Sequence, residues 1–463
     1  MKYKKGIFIF RRDFRIQDNT ALHEANKMCK DIMPIFIFTP EQINKNEYKS
    51  DNAVLFMIEC LEGLEKEIKE MNGRIYFFYN NYLDTIKEIT ERYEDIEAVF
   101  VNCDYSLYSK KRDKEIKDYC ESKNICFHSY HDECLYPPQT IRTTTNTIYN
   151  KFTPFYNNVL ERKVDKPKKI TNISFDKITR RGMNKRITLQ EAKRKFTKEN
   201  KYLEVRGGRK HALHILKNSK KLKKYEENRD CFNYETSKLS GYIKFGVVSI
   251  REVYDTWKRK FGLQSGIVRQ LIWRDFYFHL LDDNPQLMKN KSFRENYDKI
   301  EWENNESFFE AWKSGNTGYP IVDACMRHMN TTGYMPNRGR LIVSSMLIKT
   351  LLIDWKKGEK YFAQTLLDYD PAANNGNWQW MSGSGADSQP YFRIFNPFSQ
   401  GERFDKDATY IKKWVPELKD IDPKDIHNWE TKYLEYKNIK YPKPIVNFSE
   451  RRKIANKMYK KIF

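Results

Sequence analysis

The chain has 463 residues, 40% of them hydrophobic, with 84 Lys and Arg against 62 Asp and Glu, a net charge of +22. A surplus of this size favours polyanionic partners, nucleic acid or an anionic surface, through counterion release and long-range attraction. Eight cysteines include no CxxC pair, which argues against a zinc or iron–sulfur centre, and no apolar run reaches the ~18 residues of a membrane span.

Short apolar runs open the chain. Residues 6–10 (GIFIF), 32–38, 74–79, 98–102 and 125–130 are rich in Ile, Phe and Val and alternate with amphipathic segments. This alternation predicts an α/β domain built on a doubly wound parallel sheet of five strands. The clearest helix starts near Asp51 and carries Val54, Met57, Ile58, Leu61, Leu64 and Ile68 at helical spacing. No GxGxxG follows the first strand. Arg11-Arg12-Asp13-Phe14-Arg15 stands instead at its C-terminal end, where such sheets bind ligands. From about Cys134 to Asn200 the pattern dissolves. Tyr136-Pro137-Pro138, threonines at 143–145 and a Lys/Pro-rich stretch at 163–169 read as a long connection over the surface. Helical periodicity then dominates, over 202–216, 250–261, 266–281, 307–314, 321–330, 337–355 and 359–367, with a basic helix at 451–461. The organisation expected is an α/β domain (1–133), a connection (134–200) and a large all-helical domain (201–463).

Several constellations in the helical part could carry chemistry. Gln270, Trp273 and Arg274 share one helix face, as a wall for a nucleobase or as a satisfied interface patch. Asn337, Arg340, Leu341 and Ser344 share another, with Arg338 pointing elsewhere. Asn337 offers both a donor and an acceptor, or simply serves the first turn. Thr236-Ser237-Lys238-Leu239-Ser240 places hydroxyls ahead of a helical run, a seat for an anion or a plain cap. The stretch DYDPAANNGNWQWMSGSGAD, 368–387, holds two acids at its start and adjacent asparagines that suit a core poorly. Buried, they need partners from the protein or from a flat polar ligand. Within it, Trp378 and Trp380 diverge by about 200° on a helix, so one can face inward and the other an outer cleft. With no Walker loop, HExxH or GxSxG, and with eight dispersed histidines, a metal site is not expected and a cofactor is left to do the chemistry.

These residues resemble the DNA photolyase/cryptochrome family over nearly the whole chain. The carriers are FRRDFRIQDN at 10–19, FTPF at 152–155, TSKLS at 236–240, QLIWRDFY at 270–277, GNTGYPIVDACMR at 315–327, TTGYMPNRGRLI at 331–342, DYDPAANNGNWQW at 368–380 and PYFRIFNPFSQGERFD at 390–405. The resemblance implies an N-terminal antenna domain and a helical FAD domain. It implies that Tyr225, Thr236, Ser237, Lys238, Leu239 and Ser240 hold FAD together with Arg274, Arg340, Asp368, Tyr369 and Asp370. Asn374 would stand beside the flavin, and Trp378, Trp355 and Trp302 would relay electrons to it. Trp273 and Trp380 would flank a flipped pyrimidine dimer that Gln270, Asn337 and Leu341 face, while Arg229, Arg338 and Arg393 meet DNA phosphates. The activity implied is light-driven splitting of cyclobutane dimers by an electron from reduced FAD, in a monomeric, intracellular (cytoplasmic or nuclear), non-secreted protein without membrane association.

Three positions depart from the family pattern. Gln270 stands where cyclobutane-dimer enzymes usually carry Glu, and Leu341 where they carry Met. Six-four photolyases carry histidines at the positions of Asn337 and Leu341, so cyclobutane repair is favoured over six-four repair and over a photoreceptor role. Tyr108-Ser109 replaces the Asn-Glu pair that grips a folate antenna, which leaves a deazaflavin, another flavin or no antenna.

Overall fold

The computed structural model describes residues 1–176, 182–289 and 291–463. Residues 177–181 of the expected connection lie outside the described residues. Five parallel strands, β1 (Tyr3–Phe10), β2 (Cys29–Phe38), β3 (Tyr76–Tyr79), β4 (Ile96–Asn102) and β5 (Cys126–Tyr130), form one sheet in the order β3-β2-β1-β4-β5. Every strand ends at the residue the apolar runs predict. The starts shift, because β1 and β2 take in flanking polar residues such as Lys4, Lys5 and Asp31. Ile7, Ile9, Ile35, Ile37, Val99 and Val101 belong to one core cluster, and the intervening Phe8, Phe10, Phe36 and Phe38 are buried too. Burial on both faces is what a parallel sheet needs and why its strands read as continuous apolar runs.

The crossovers are helices α1 (Thr20–Met28), α2 (Asp51–Glu70), α3 (Tyr82–Arg92) and α4 (Leu107–Ser122). Each is capped by a side chain, from Asn19, Ser50, Asn81 and Ser106, that accepts an otherwise orphaned N–H of the first turn. The arginines after β1 are consumed internally. Arg15 pairs with Asp132, Arg11 with Asp113, and Asn102 donates to Asp13 at 2.6 Å. Gly246 packs against this turn with φ +59, and a Cβ there would lie 2.1 Å from the Arg12 carbonyl oxygen.

Packing divides the chain into two compact units. The first holds Met1–Glu199, Val205–Lys223 and Lys238–Pro285; the second holds Asn200–Glu204, Lys224–Ser237 and Gln286–Phe463. The connection that reads as featureless contains two helices, Phe152–Leu160 and Leu189–Phe196. The second carries a Thr188/Glu191 capping box. Two expected helices are corrected. The one predicted over 202–216 forms only as α5 (Arg209–Lys217), because Gly207 and Gly208 precede it and Gly208 takes φ +112. In the first unit α6 (Gly266–Asp283) is largely buried, with Asp275, His279 and Asp282 among its buried residues.

The second unit is helical. Its core gathers Trp312, Met326, Ile342, Leu347, Ile348, Phe362 and Trp378 around α7 (Pro320–Thr332), α8 (Asn337–Ser345), α9 (Trp355–Thr365) and α10 (Pro371–Ser382), with α11 (Phe448–Lys460) closing the chain. The single helix predicted over 337–355 is the second correction. After α8 the chain runs through a π turn, Met346–Thr350, in which the Leu351 N–H donates to the Met346 carbonyl at 2.9 Å. Leu352 then takes a left-handed φ of 55°, so α9 starts afresh at Trp355, ahead of the residue 359 expected.

Candidate functional site

Asp370 sets the register of α10. It precedes Pro371 and its Oδ1 accepts the N–H groups of Ala372 and Ala373 at 3.0 and 3.2 Å. The next turn separates the two asparagines. Asn374 donates from Nδ2 to Glu359 Oε1 on α9 at 2.9 Å. Asn375 and Gln379, one turn apart on the inner side, are closed into the protein. Gln379 donates to Asn375 Oδ1 at 2.9 Å and accepts from the Phe293 N–H at 2.8 Å, while Asn375 donates to the Leu287 carbonyl. The second asparagine therefore fastens Leu287 and, through Gln379, Phe293, and among the described residues only the first has an amide carbonyl with no hydrogen bond to the protein. Glu359, buried at 3% exposure, fixes that amide's orientation. Sequence reading missed it, because nothing in the helical pattern of 359–367 marks one acid as buried.

The two tryptophans of α10 part as their spacing predicts. Trp378 is buried, 5.0 Å from the Phe362 ring and 6.3 Å from that of Trp312; Trp380 is partly buried at the core's edge. Gly358 makes room for the first, since a Cβ there would lie 2.3 Å from Trp378 Cη2. Trp355 is buried in the same core, and Trp302 packs on its margin, 6.1 Å from the Tyr459 ring.

Beside α10, Asp368 is buried and accepts from Arg340 Nη2 with both oxygens, at 3.1 and 2.8 Å, while Arg340 Nε donates to the Met335 carbonyl. The Thr236 hydroxyl lies 3.5 Å from the Tyr334 hydroxyl, and burial raises the Tyr225 phenol above its ordinary pKa. Arg229 stacks over Tyr225. Asn337 opens α8 and Leu341 lies partly buried one turn on. Arg338, on another face, pairs with Asp230 and lies over the Phe404 ring at 4.4 Å. That pairing neutralises a guanidinium the sequence reading assigned to a phosphate. Arg393 is exposed.

In the first unit, Trp273 on α6 stacks flat on Phe152 at 3.6 Å and 7°, which gives the FTPF motif a backing role. Gln270 is half-buried beside it and donates to the Gly266 carbonyl at 3.3 Å. Arg274 is held by Glu133, through its carbonyl at 2.7 Å and carboxylate at 3.2 Å, so it ties α6 to the end of the sheet domain. Asp275 is fully buried. One oxygen accepts the Tyr136 N–H at 2.9 Å, the other has no hydrogen bond, and burial pushes the carboxyl up to about 7. Lys238, Leu239 and Ser240 lead into the short helix Ser240–Lys244.

Residues 7–171 match the family description "DNA photolyase", and residues 267–461 match "FAD binding domain of DNA photolyase". The chain is 36% identical to the deoxyribodipyrimidine photo-lyase of Buchnera aphidicola subsp. Acyrthosiphon pisum, over 99% of this chain and 97% of that protein. This chain belongs to the DNA photolyase family. The archaeal photolyase of Sulfolobus tokodaii, solved with two FAD molecules, is 40% identical with a TM-score of 0.87, covering 99% of this chain and all of that one. A class III photolyase from Agrobacterium tumefaciens is 31% identical with a TM-score of 0.90, covering all of this chain and 98% of that one. Among the described residues no helix is long and apolar enough to cross a membrane.

The photolyase FAD domain fits what the second unit contains. The free carbonyl of Asn374, oriented from behind by Glu359, can accept from a ring N–H. The indole of Trp378 stands one turn further along the same helix, inside the core.

Proposed function

We propose that this photolyase repairs cyclobutane pyrimidine dimers in DNA under light. The observation that carries the reading is the division of α10, with Trp378 sealed in the core and Trp380 at its edge two residues later. FAD, when bound, supplies one-electron transfer driven by light. Asp368, Asp370, Arg340, Tyr369 and Tyr225 hold it, with the hydroxyls of Thr236 and Ser237 on its phosphates. Asn374 meets its ring as an acceptor. Trp378, Trp355 and Trp302 pass electrons inward from the surface. Trp380 offers a flipped dimer a flat apolar face, and the lesion's poor pairing lowers the cost of flipping. Asn337 hydrogen-bonds its carbonyl and N–H edges. Arg229 and Arg393 add phosphate contacts without sequence preference. In this division of labour residues 201–463 hold FAD and DNA, and residues 134–200 connect them to the α/β domain.

Asn337 and Leu341 favour the cyclobutane lesion over the six-four product. Neither side chain can deliver the proton that histidines at these positions would. Reduced protein, illuminated with each lesion side by side, will restore thymine-dimer DNA and leave six-four DNA untouched. Repair of the six-four product alone would overturn the reading, and repair of neither would turn it toward a photoreceptor.

A second chromophore is assigned to the α/β domain. There the Arg112 guanidinium lies 4.7 Å from the Tyr82 ring and 5.8 Å from that of the exposed Tyr108, with Nη2 buried and without a hydrogen bond. An aromatic, anionic group suits that setting, and the Sulfolobus relative, solved with two FAD molecules, supports a flavin there. Chromophore extraction will return two flavins per chain; one flavin per chain contradicts the assignment.

A further inference from the structure

The π turn Met346–Thr350 is buried throughout, and it contains a lysine. Lys349 has no exposed surface, and its Nζ donates to the Arg393 carbonyl oxygen at 2.9 Å. One turn earlier, the buried Ser345 hydroxyl accepts the Phe395 N–H at 3.2 Å. Two side chains from a single stretch of helix therefore hold the backbone of 393 and 395 from below. The residues above point outward. Phe392 is 61% exposed, Arg393 is exposed with its guanidinium over the Phe395 ring at 5.6 Å, and Tyr391 stacks on Tyr459 to close the other flank.

An ammonium group in this position is expensive. Burial, with the Arg393 charge adding to it, lowers the Lys349 pKa to about 7, and a methionine or leucine would fill the same volume without desolvating a charge. What the lysine adds is a donor, long enough to reach a carbonyl outside its own helix. A π turn admits such a side chain, since one extra residue widens the helix at that point.

We propose that Lys349 is a positioning residue for DNA binding, fixing the backbone of the Phe392–Arg393 tip so that the Arg393 guanidinium is held ready for a phosphate of the lesion-bearing strand. The inference rests on the reading of Arg393 as a phosphate contact. Ordering the tip beforehand removes that entropy from the binding step. Loss of the tie should therefore act through Arg393 and nowhere else.

The test uses full-length, FAD-loaded protein and a duplex with one thymine dimer, in the dark, across a salt series, with the flavin spectrum as the check on folding. Lys349→Met should weaken binding about tenfold and flatten the log K against log salt slope by about one, as a lost phosphate contact does. Arg393→Ala should do the same, and the double variant should be no weaker than Arg393→Ala alone, because tie and contact are one unit. If Lys349→Met loses the flavin, Ser345→Ala carries the test, with a smaller loss in the same direction that again vanishes in the Arg393→Ala background. Unchanged binding and slope in Lys349→Met, or losses that add in the double variant, overturn the inference while Arg393→Ala still weakens binding. An Arg393→Ala protein that binds like the unaltered one shows instead that the phosphate reading itself was wrong, and the inference falls with it.

Discussion

Asp368→Ala will yield protein that purifies without FAD. Asp368 is buried, and Arg340 gives both of its carboxylate oxygens a hydrogen bond while a second bond anchors that arginine to the Met335 carbonyl. Removing the acid leaves a guanidinium fixed in place, 28% exposed and without its counter-charge. Breaking a fully buried pair in this way costs about 3–5 kcal/mol. The partial exposure of Arg340 brings the cost down to about 2–3 kcal/mol, as water screens what the carboxylate no longer balances. Asp370 and Asn374 follow on the same segment, so the loss reaches the start of α10 as well. Asp368→Asn keeps an acceptor but not the charge and should hold part of the flavin. The ratio of visible flavin absorbance to protein absorbance reads the effect directly. An alanine variant that keeps one FAD per chain in this unit would remove Asp368 from the site.

The second large effect concerns stability and pH. Asp275 has a raised carboxyl, at about 7 in the folded protein against about 3.9 in an unfolded chain. As pH rises from 4 to 7 the unfolded chain gives up this proton while the folded protein keeps it. Asp275 therefore weakens the fold progressively across that window, by about 4 kcal/mol at its upper end, and by no more above it. Asp275→Asn keeps an acceptor for the Tyr136 N–H and has nothing to ionise. The variant should resist denaturant better than the unaltered protein at pH 8, with the gap narrowing toward pH 5. If Asp275→Asn is less stable at pH 8, the folded carboxyl is not raised and Arg274, 3.8 Å away, supports its ionised form.

What the sequence made legible was whatever depends on near neighbours. Strand ends fell where apolar runs stop, and the divergence of Trp378 and Trp380 needed only the helical repeat. What it hid depends on partners far along the chain. Arg338 reads as a phosphate ligand until Asp230, 108 residues away, takes it. Arg274 reads as part of a nucleobase wall or a cofactor contact until Glu133, 141 residues away, holds it. A guanidinium shows the same face to a carboxylate and to a phosphate, so spacing cannot separate the two. Asn374 and Asn375 look equivalent as neighbours. Glu359 claims one amide and a backbone carbonyl 88 residues off the other, and the two acquire opposite tasks. The helix break at 351–354 was equally hidden, because Leu352 is a residue from which a left-handed turn is not expected.

The π turn also makes chain length itself a constrained property at one point of the molecule. A surface loop absorbs an extra or missing residue by bulging. Between Met346 and Thr350 the surplus residue is already built in. Deleting one there would close an ordinary turn over nearly the same arc, so Trp355 would keep its bearing while Lys349 would lose the wide turn from which it reaches the Arg393 carbonyl. For this stretch the number of residues matters as much as their identity, since a one-codon deletion would remove the tie to residue 393 even with Lys349 kept.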